Sequence, residues 1–313
     1  MSNIPTAPTE ATSLTSETRL KFDVIVVGSG NAGSSAALSA IDNGCKHLLI
    51  IDKCPPEWVG GNSYFTAGAY RTVHHGLADI LSVVPNVDPE LAATMPYTHE
   101  QFAEDIMRLS DGRLDPALVN ALVGGSHDTV SWLSNRVKIP LILSFHRQAY
   151  LVSGRQKFWG GMVLAVEGGG KGGRGLWLPT TELLRSLESR SGLTRRRLIW
   201  CCPTVGSPDS RSRNVVRSGE TLLMAQRAGA MLQGDWGGCH STCWDANTST
   251  DIGDRVLSNQ FTKSGYPLGI MVNADGERFV DEEEDFRNYT YAKFGREILK
   301  QKGGMRSRFT TPR

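Results

Sequence analysis

Asp23-Val24-Ile25-Val26-Val27-Gly28-Ser29-Gly30-Asn31-Ala32-Gly33 is the stretch that decides the fold. Its first half is a continuous β-branched run, the pattern of a strand buried on both faces of a parallel sheet. The glycine turn leads into a small-residue helical stretch as far as Asn43, and Gly44 stands where a glycine closes a helix in the left-handed conformation. A second apolar run, Leu48-Leu49-Ile50-Ile51, ends at Asp52. Strand, glycine turn, helix and strand within about thirty residues form a βαβ crossover of the dinucleotide-binding kind. Gly28 permits the tight turn, Gly30 lets backbone approach a pyrophosphate, and Gly33 lets the helix pack against the strand. Asn31 and Ala32 open the helix, whose N–H groups and positive dipole end face the phosphates. Asp52, nineteen residues after Gly33 and followed by Lys53, is placed to bond the ribose hydroxyls of an adenosine. The bland alternative is a glycine-rich turn in an α/β domain that binds nothing.

Working outward, Ala37 and Gly44 extend the spacing to GxGxxGx3Ax6G, the longer form common in FAD-binding folds. Gly60-Gly61-Asn62-Ser63 and then Thr66-Ala67-Gly68 follow the second strand closely. A second block stands far downstream: Gly234-Asp235-Trp236-Gly237-Gly238-Cys239-His240, then a stretch from Tyr266 to Gln301 that contains GERFVDEEEDFRNYTYAKF.

Together these motifs resemble the FAD-dependent fumarate reductase/succinate dehydrogenase flavoprotein superfamily, and within it the tricarballylate dehydrogenase-like branch. The resemblance spans most of residues 21–170 and 214–301. It implies FAD as cofactor, with the Gly60–Ser63 segment wrapping the pyrophosphate and a hydroxyl near the isoalloxazine. The implied architecture is α/β: a Rossmann-like FAD-binding domain over residues 21–233 and a partial α+β capping domain for substrate over residues 234–313. Residues 1–20, rich in Ser, Thr, Pro and Ala without apolar periodicity, are expected to be a disordered leader.

The middle of the chain reads as helices. Asp115-Pro116 is an N-cap followed by proline at the first helical position. Leu118, Leu122, Val130, Leu133 and Val137 keep helical spacing as a core face, with Gly124-Gly125 as a break. Gly168-Gly169-Gly170 falls where the superfamily has a glycine segment near the flavin; a flexible linker competes with that reading. Two segments depart from the superfamily. From Gly192 to Arg213 the chain has no sustained period, and the later strands and loop expected of a nucleotide domain are not found there. After Gln301 the family pattern stops, and the part of the family sequence that follows is missing. Eight arginines between Arg185 and Arg217 could form a nucleic-acid patch, but no aromatic interleaving or known module supports it.

Substrates of the resembling superfamily are small di- and tricarboxylates, for which a guanidinium fork is suited because it binds both carboxylate oxygens. Arg287 aligns approximately with the arginine that fumarate reductases use as proton donor. An unperturbed arginine stays charged near neutrality, so such a role calls on neighbouring carboxylates, and Asp281 to Asp285 supply them. A solvated acidic loop merely paired with Arg287 is the competing reading. His240 falls in the stretch resembling the substrate-binding histidine region; a structural histidine is the alternative. Cys239 and Cys243 flank it without a second ligand pair, so no metal is expected. Met271-Val272-Asn273 and Glu277-Arg278-Phe279-Val280, flanking Ala274-Asp275-Gly276, read as a hairpin.

Composition sets the outer bounds. In 313 residues, 34 Lys and Arg against 32 Asp and Glu give a net charge of +2, which disfavours a protein built around nucleic acid or anionic membranes. No apolar run is long enough for a spanning helix, and six irregularly spaced cysteines do not make a disulfide scaffold. With no secretory or transit signal, a cytoplasmic enzyme is expected. Its partners are a small carboxylate substrate and an unassigned electron donor or acceptor. The leading function is hydride transfer between flavin N5 and that substrate. The alternative is a catalytically inactive truncated relative that at most binds flavin.

Overall fold

The structure is a computed structural model. It describes residues 21–54, 59–66, 68–84, 88, 90, 92–144, 149–158, 161, 163–168, 172–190, 219–234, 269–285, 287–304 and 306–309. The leader, the segment 192–213, His240 and both flanking cysteines lie outside the described residues.

Strand β1 (Val24–Val27) pairs in parallel with β2 (Leu48–Ile51), Val24 opposite Leu48 and Val27 opposite Ile51, and helix α1 (Asn31–Asp42) crosses between them. Val26, Leu48, Ile50 and Ala37 form a small core on one face. The other face differs from the expectation of a strand buried on both sides: Ile25 is 55% exposed. Pleating sends Ile25 and Val27 away from α1, and no element among the described residues covers them. Gly44 does close α1, with φ +89° and its N–H on the Ile41 carbonyl at 2.9 Å.

A 3-10 turn, Gly61–Phe65, leads to β3 (Ala69–Tyr70) and α2 (Leu77–Leu81). Beyond them come β4 (Ala92–Thr94), α3 (His99–Leu109), α4 (Pro116–Gly124), α5 (Ser126–Asn135), β5 (Leu141–Leu143), β6 (Ala149–Val152), β7 (Arg155–Phe158) and β8 (Leu164–Val166). Two three-stranded sheets result, in the orders β3-β8-β5 and β4-β7-β6. The larger core lies between the helices and these sheets, with Leu38, Ile80, Leu133, Ile139, Phe158 and Leu164 at its centre. Helix α6 (Gly172–Arg190) packs against both α1 and the 3-10 turn, and Leu184 touches both cores. The glycine turn is thereby backed by the larger core, which fixes it relative to the sheets.

Asp115 caps α4 by accepting from the Ala117 N–H at 2.8 Å, and Gly125 separates α4 from α5. The buried face of α4 is shifted from the expected one: Val119 and Val123 are buried, whereas Leu118 and Leu122 are exposed. The break explains the shift. One apolar stripe drawn from Leu118 to Val137 assumes a continuous helix, and the interruption at Gly125 lets α4 turn a different stripe onto α3. Val130, Leu133 and Val137 are buried as expected.

The C-terminal part comprises α7 (Glu220–Arg227), β9 (Ile270–Val272), α8 (Arg287–Lys300) and β10 (Ser307–Phe309). The expected hairpin is reduced to its turn. Asn273 N–H reaches the Glu277 carbonyl at 2.9 Å, but only a single bridge, Val272 to Arg278, follows. Strand β9 pairs antiparallel with β10 instead. Residues after Gln301 therefore supply the partner strand, and Met271, Phe294 and Ile298 form a core of their own.

Candidate functional site

The turn between β1 and α1 is built as the glycine spacing requires. Gly28 takes φ +97°, a conformation that L side chains rarely adopt. A Cβ on Gly33 would sit 1.9 Å from the Gly28 carbonyl oxygen, so the helix lies against the turn at a distance only glycine allows. Gly30, the N-cap of α1, has no capping side chain. A Cβ on Gly61 would meet the Gly30 Cα at 3.1 Å, which places the two glycine segments backbone to backbone. Across this contact the Asn31 N–H donates to the Ser63 hydroxyl at 3.3 Å. The Gly60–Ser63 segment and the first turn of α1 thus form one continuous cradle, joined across the gap by the Ser63 hydroxyl. Ala32 and Gly33 continue that turn, while Thr66 accepts from the Gly68 N–H at 3.1 Å and shapes the loop's exit.

Asp52 closes the rim. One carboxylate oxygen accepts from the Ser29 N–H at 2.7 Å and its hydroxyl at 2.5 Å, and the other accepts from the Cys54 N–H at 2.9 Å. Half-burial pushes its pKa up, but the Ser29 hydroxyl and the Cys54 and Ser29 amides outweigh it and hold the group below the ordinary aspartate value. A depressed carboxylate contributes stability that is whole above the unfolded value of about 3.9 and is lost as pH falls through the lower folded value. Asp52→Asn is therefore expected to flatten acid unfolding of the amino-terminal unit below about pH 4, measured by circular dichroism. An unchanged acid limb would show that Asp52 is not a coupled group. Ser29, the second residue of the glycine motif, is not marked by the glycine spacing; its signal is a hydroxyl between two glycines within reach of the acid that ends β2. Lys53, expected beside the cofactor, is engaged with Glu220 at 2.9 Å.

The cradle fits the cofactor. A helix start capped by glycine, with no capping side chain of its own, suits a diphosphate, and an anchored carboxylate at the end of β2 suits ribose hydroxyls. Among the described residues no group of three or more His, Cys, Asp or Glu could hold a metal ion, and no helix is long and apolar enough to cross a membrane.

The acidic run before Arg287 is not a bare loop: among the described residues it meets other cations. Glu282 is buried and accepts from the Met271 N–H and from Arg278 at 2.6 and 2.9 Å. Burial raises its pKa, and the Met271 amide and the Arg278 guanidinium more than reverse this. Asp281 also meets Arg278, Glu284 pairs with Lys293, and Asp285 pairs with Arg108 at 2.9 Å. Arg287 is the first residue of α8. His240 lies outside the described residues.

Comparison with known proteins places the geometry in a class. Residues 23–156 match the family model described as the FAD binding domain; this part of the chain is an FAD-binding domain with FAD as its cofactor. A fumarate reductase (cytochrome) from Shewanella frigidimarina is 37% identical over 112 residues, which are 36% of this chain and 17% of that protein. A urocanate reductase from Eggerthella lenta is 32% identical over 111 residues, covering 36% and 16%. The alignments thus span under a fifth of these curated relatives. Among solved structures, the open conformation of a flavocytochrome c3 fumarate reductase has a TM-score of 0.50 at 21% identity, covering 91% of this chain and 52% of that one. A 3-ketosteroid-Δ4-(5α)-dehydrogenase from Rhodococcus jostii RHA1 has a TM-score of 0.54 at 16% identity, covering 91% and 65%. The chain is similar to flavoprotein reductases of the fumarate reductase/succinate dehydrogenase superfamily.

Proposed function

We propose that the chain is an FAD-dependent oxidoreductase acting on a small di- or tricarboxylate, in the manner of the tricarballylate dehydrogenase-like branch, with residues 234–313 as a partial capping unit. The observation that carries it is the joined cradle, Gly30 against Gly61 with Asn31 bonded to Ser63. When bound, FAD supplies the site at which a hydride is gained or lost. The protein's own residues orient and neutralise. The amides of the cradle hold the diphosphate, Asp52 and Ser29 fix the ribose, and Ser63 and Thr66 present hydroxyls along the loop. Arg287 is assigned the proton that accompanies hydride transfer, and His240 a substrate carboxylate.

A position argument supports Arg287. A cation in the first turn of a helix opposes the macrodipole at a cost of about 0.3–1 kcal/mol, and α8 has no acidic residue in its first turn to offset it. A cation placed where local electrostatics disfavours it is a candidate for function.

A second reading, an inactive relative that at most binds flavin, is favoured by the exposed face of β1. Purification separates the two. A yellow protein that reduces fumarate with a reduced dye, or oxidises succinate or tricarballylate with an oxidised one, supports the enzyme. Colour without turnover, or a colourless protein that does not take up added FAD, supports the inactive relative and removes the enzyme.

A further inference from the structure

Asp105 sits midway along α3 with its side chain mostly buried, and it is the centre of a network that spans distant parts of the chain. One of its oxygens accepts from the Tyr97 hydroxyl at 2.6 Å, from Arg71 at 3.2 Å and from the Tyr289 hydroxyl at 3.2 Å. Arg71 also donates to the Tyr97 hydroxyl at 3.1 Å. Arg71 directly follows β3, the strand into which the Gly60–Gly68 loop runs. Tyr289 is in the first turn of α8, two residues after Arg287. One turn along α3, Arg108 lies 4.1 Å from the centre of the Tyr289 ring and pairs with Asp285, two residues before Arg287. The helix carrying Arg287 is thus gripped on both sides of that residue by groups from α3, and α3 is tied through Arg71 to the exit of the flavin loop.

The grip is built with little slack. Tyr97 is buried, and a Cβ on Gly161 would lie 2.1 Å from its ring, so the ring is backed by main chain. Burial first, and then the Asp105 carboxylate, push both the Tyr97 and Tyr289 hydroxyls upward, which keeps them protonated as donors across the working pH range.

We propose that Asp105 is a positioning residue: through Tyr289 and Arg108 it fixes the start of α8, and with it Arg287, relative to the flavin loop. The proposal rests on the proton-donor reading of Arg287, and the test separates the two. Asp105→Asn removes the charge at nearly constant shape, and Tyr289→Phe removes one hydroxyl while leaving the ring over Arg108. Hydrogen exchange on the FAD-loaded full-length chain is the first readout. Both variants should exchange amides of residues 285–292 about ten times faster or more, with residues 23–52 and flavin absorbance unchanged. In the fumarate dye assay both should lower kcat by about 10- to 100-fold, the scale of a displacement near 1 Å, with KM within about twofold of the parent. A merely structural loss would instead reduce flavin content or slow nothing specific to kcat. Unchanged exchange at residues 285–292 in both variants overturns the proposal, whether or not the parent turns over. Faster exchange with kcat unaltered in an active parent also overturns it. A parent with no turnover counts against the functional reading alone, and the exchange comparison still decides the role of Asp105.

Discussion

Gly33→Ala is expected to yield a protein that no longer retains FAD. The added Cβ would lie 1.9 Å from the Gly28 carbonyl oxygen, 3.0 Å from its carbon and 3.2 Å from a methyl of Val26. The first two are main-chain atoms, which cannot rotate aside as a flexible side chain would, so α1 must lift from β1. Overpacking of this kind commonly costs about 1–3 kcal/mol, and here the upper part of that range is expected. The functional loss should exceed the loss in stability. Lifting the first turn separates Gly30 from Gly61 and Asn31 from Ser63, and those contacts define the cradle. Gly44→Ala is the matched control. Its φ of +89° is strained for alanine, but nothing lies within 4 Å of the new atom. It should cost about 1 kcal/mol and keep the colour. Flavin per chain after gel filtration, with the melting midpoint of each variant, reads both effects. A Gly33→Ala protein with the parent's flavin content would show that the turn binds nothing.

The contrast between these two glycines also shows what was legible in the sequence. Gly28, Gly30, Gly33 and Gly44 have roles set by covalent geometry within a few residues, and spacing alone located them. The same holds for Asp115 as a cap and for the break at Gly125. What could not be read depended on contacts distant in the chain. Ile25 and Val27 have the composition of a doubly covered strand, yet coverage is a property of neighbours, not of the strand. Leu118 and Val119 are one residue apart, and only the packing against α3 decides which one turns inward. Val272 pairs with Ser307 because the C-terminal strand reaches it; the turn at Asn273–Gly276 promised a hairpin that the sheet did not extend. The acidic run is the clearest case. Five carboxylates stand in a row, and Arg278, Lys293 and Arg108, from three separate places in the chain, meet four of them.

That redistribution of charge sharpens what Arg287→Gln should do. On the proposed mechanism Arg287 delivers a proton to the carbon next to the one that receives the hydride. Its removal should lower turnover by about 10²–10⁴-fold, the usual contribution of a positioned acid. The fold should survive. Glutamine is a good helix former, and losing a cation from the first turn of α8 relieves an unfavourable interaction with the macrodipole. The carboxylates nearby keep their other cations, so no buried acid is left stranded: Glu282 retains Arg278 and the Met271 amide. Arg287→Gln should therefore be as yellow as the parent and at least as stable to heat. Arg287→Lys supplies the discriminating arm. Lysine keeps the charge and gives up the planar fork, so partial recovery of kcat identifies proton delivery, whereas recovery of KM alone identifies carboxylate binding. The measurement is single-turnover reoxidation of the reduced, FAD-loaded protein by fumarate, with thermal unfolding alongside. If glutamine reoxidises as fast as the parent, Arg287 has no part in the chemistry, and the proton must come from a residue elsewhere in the chain.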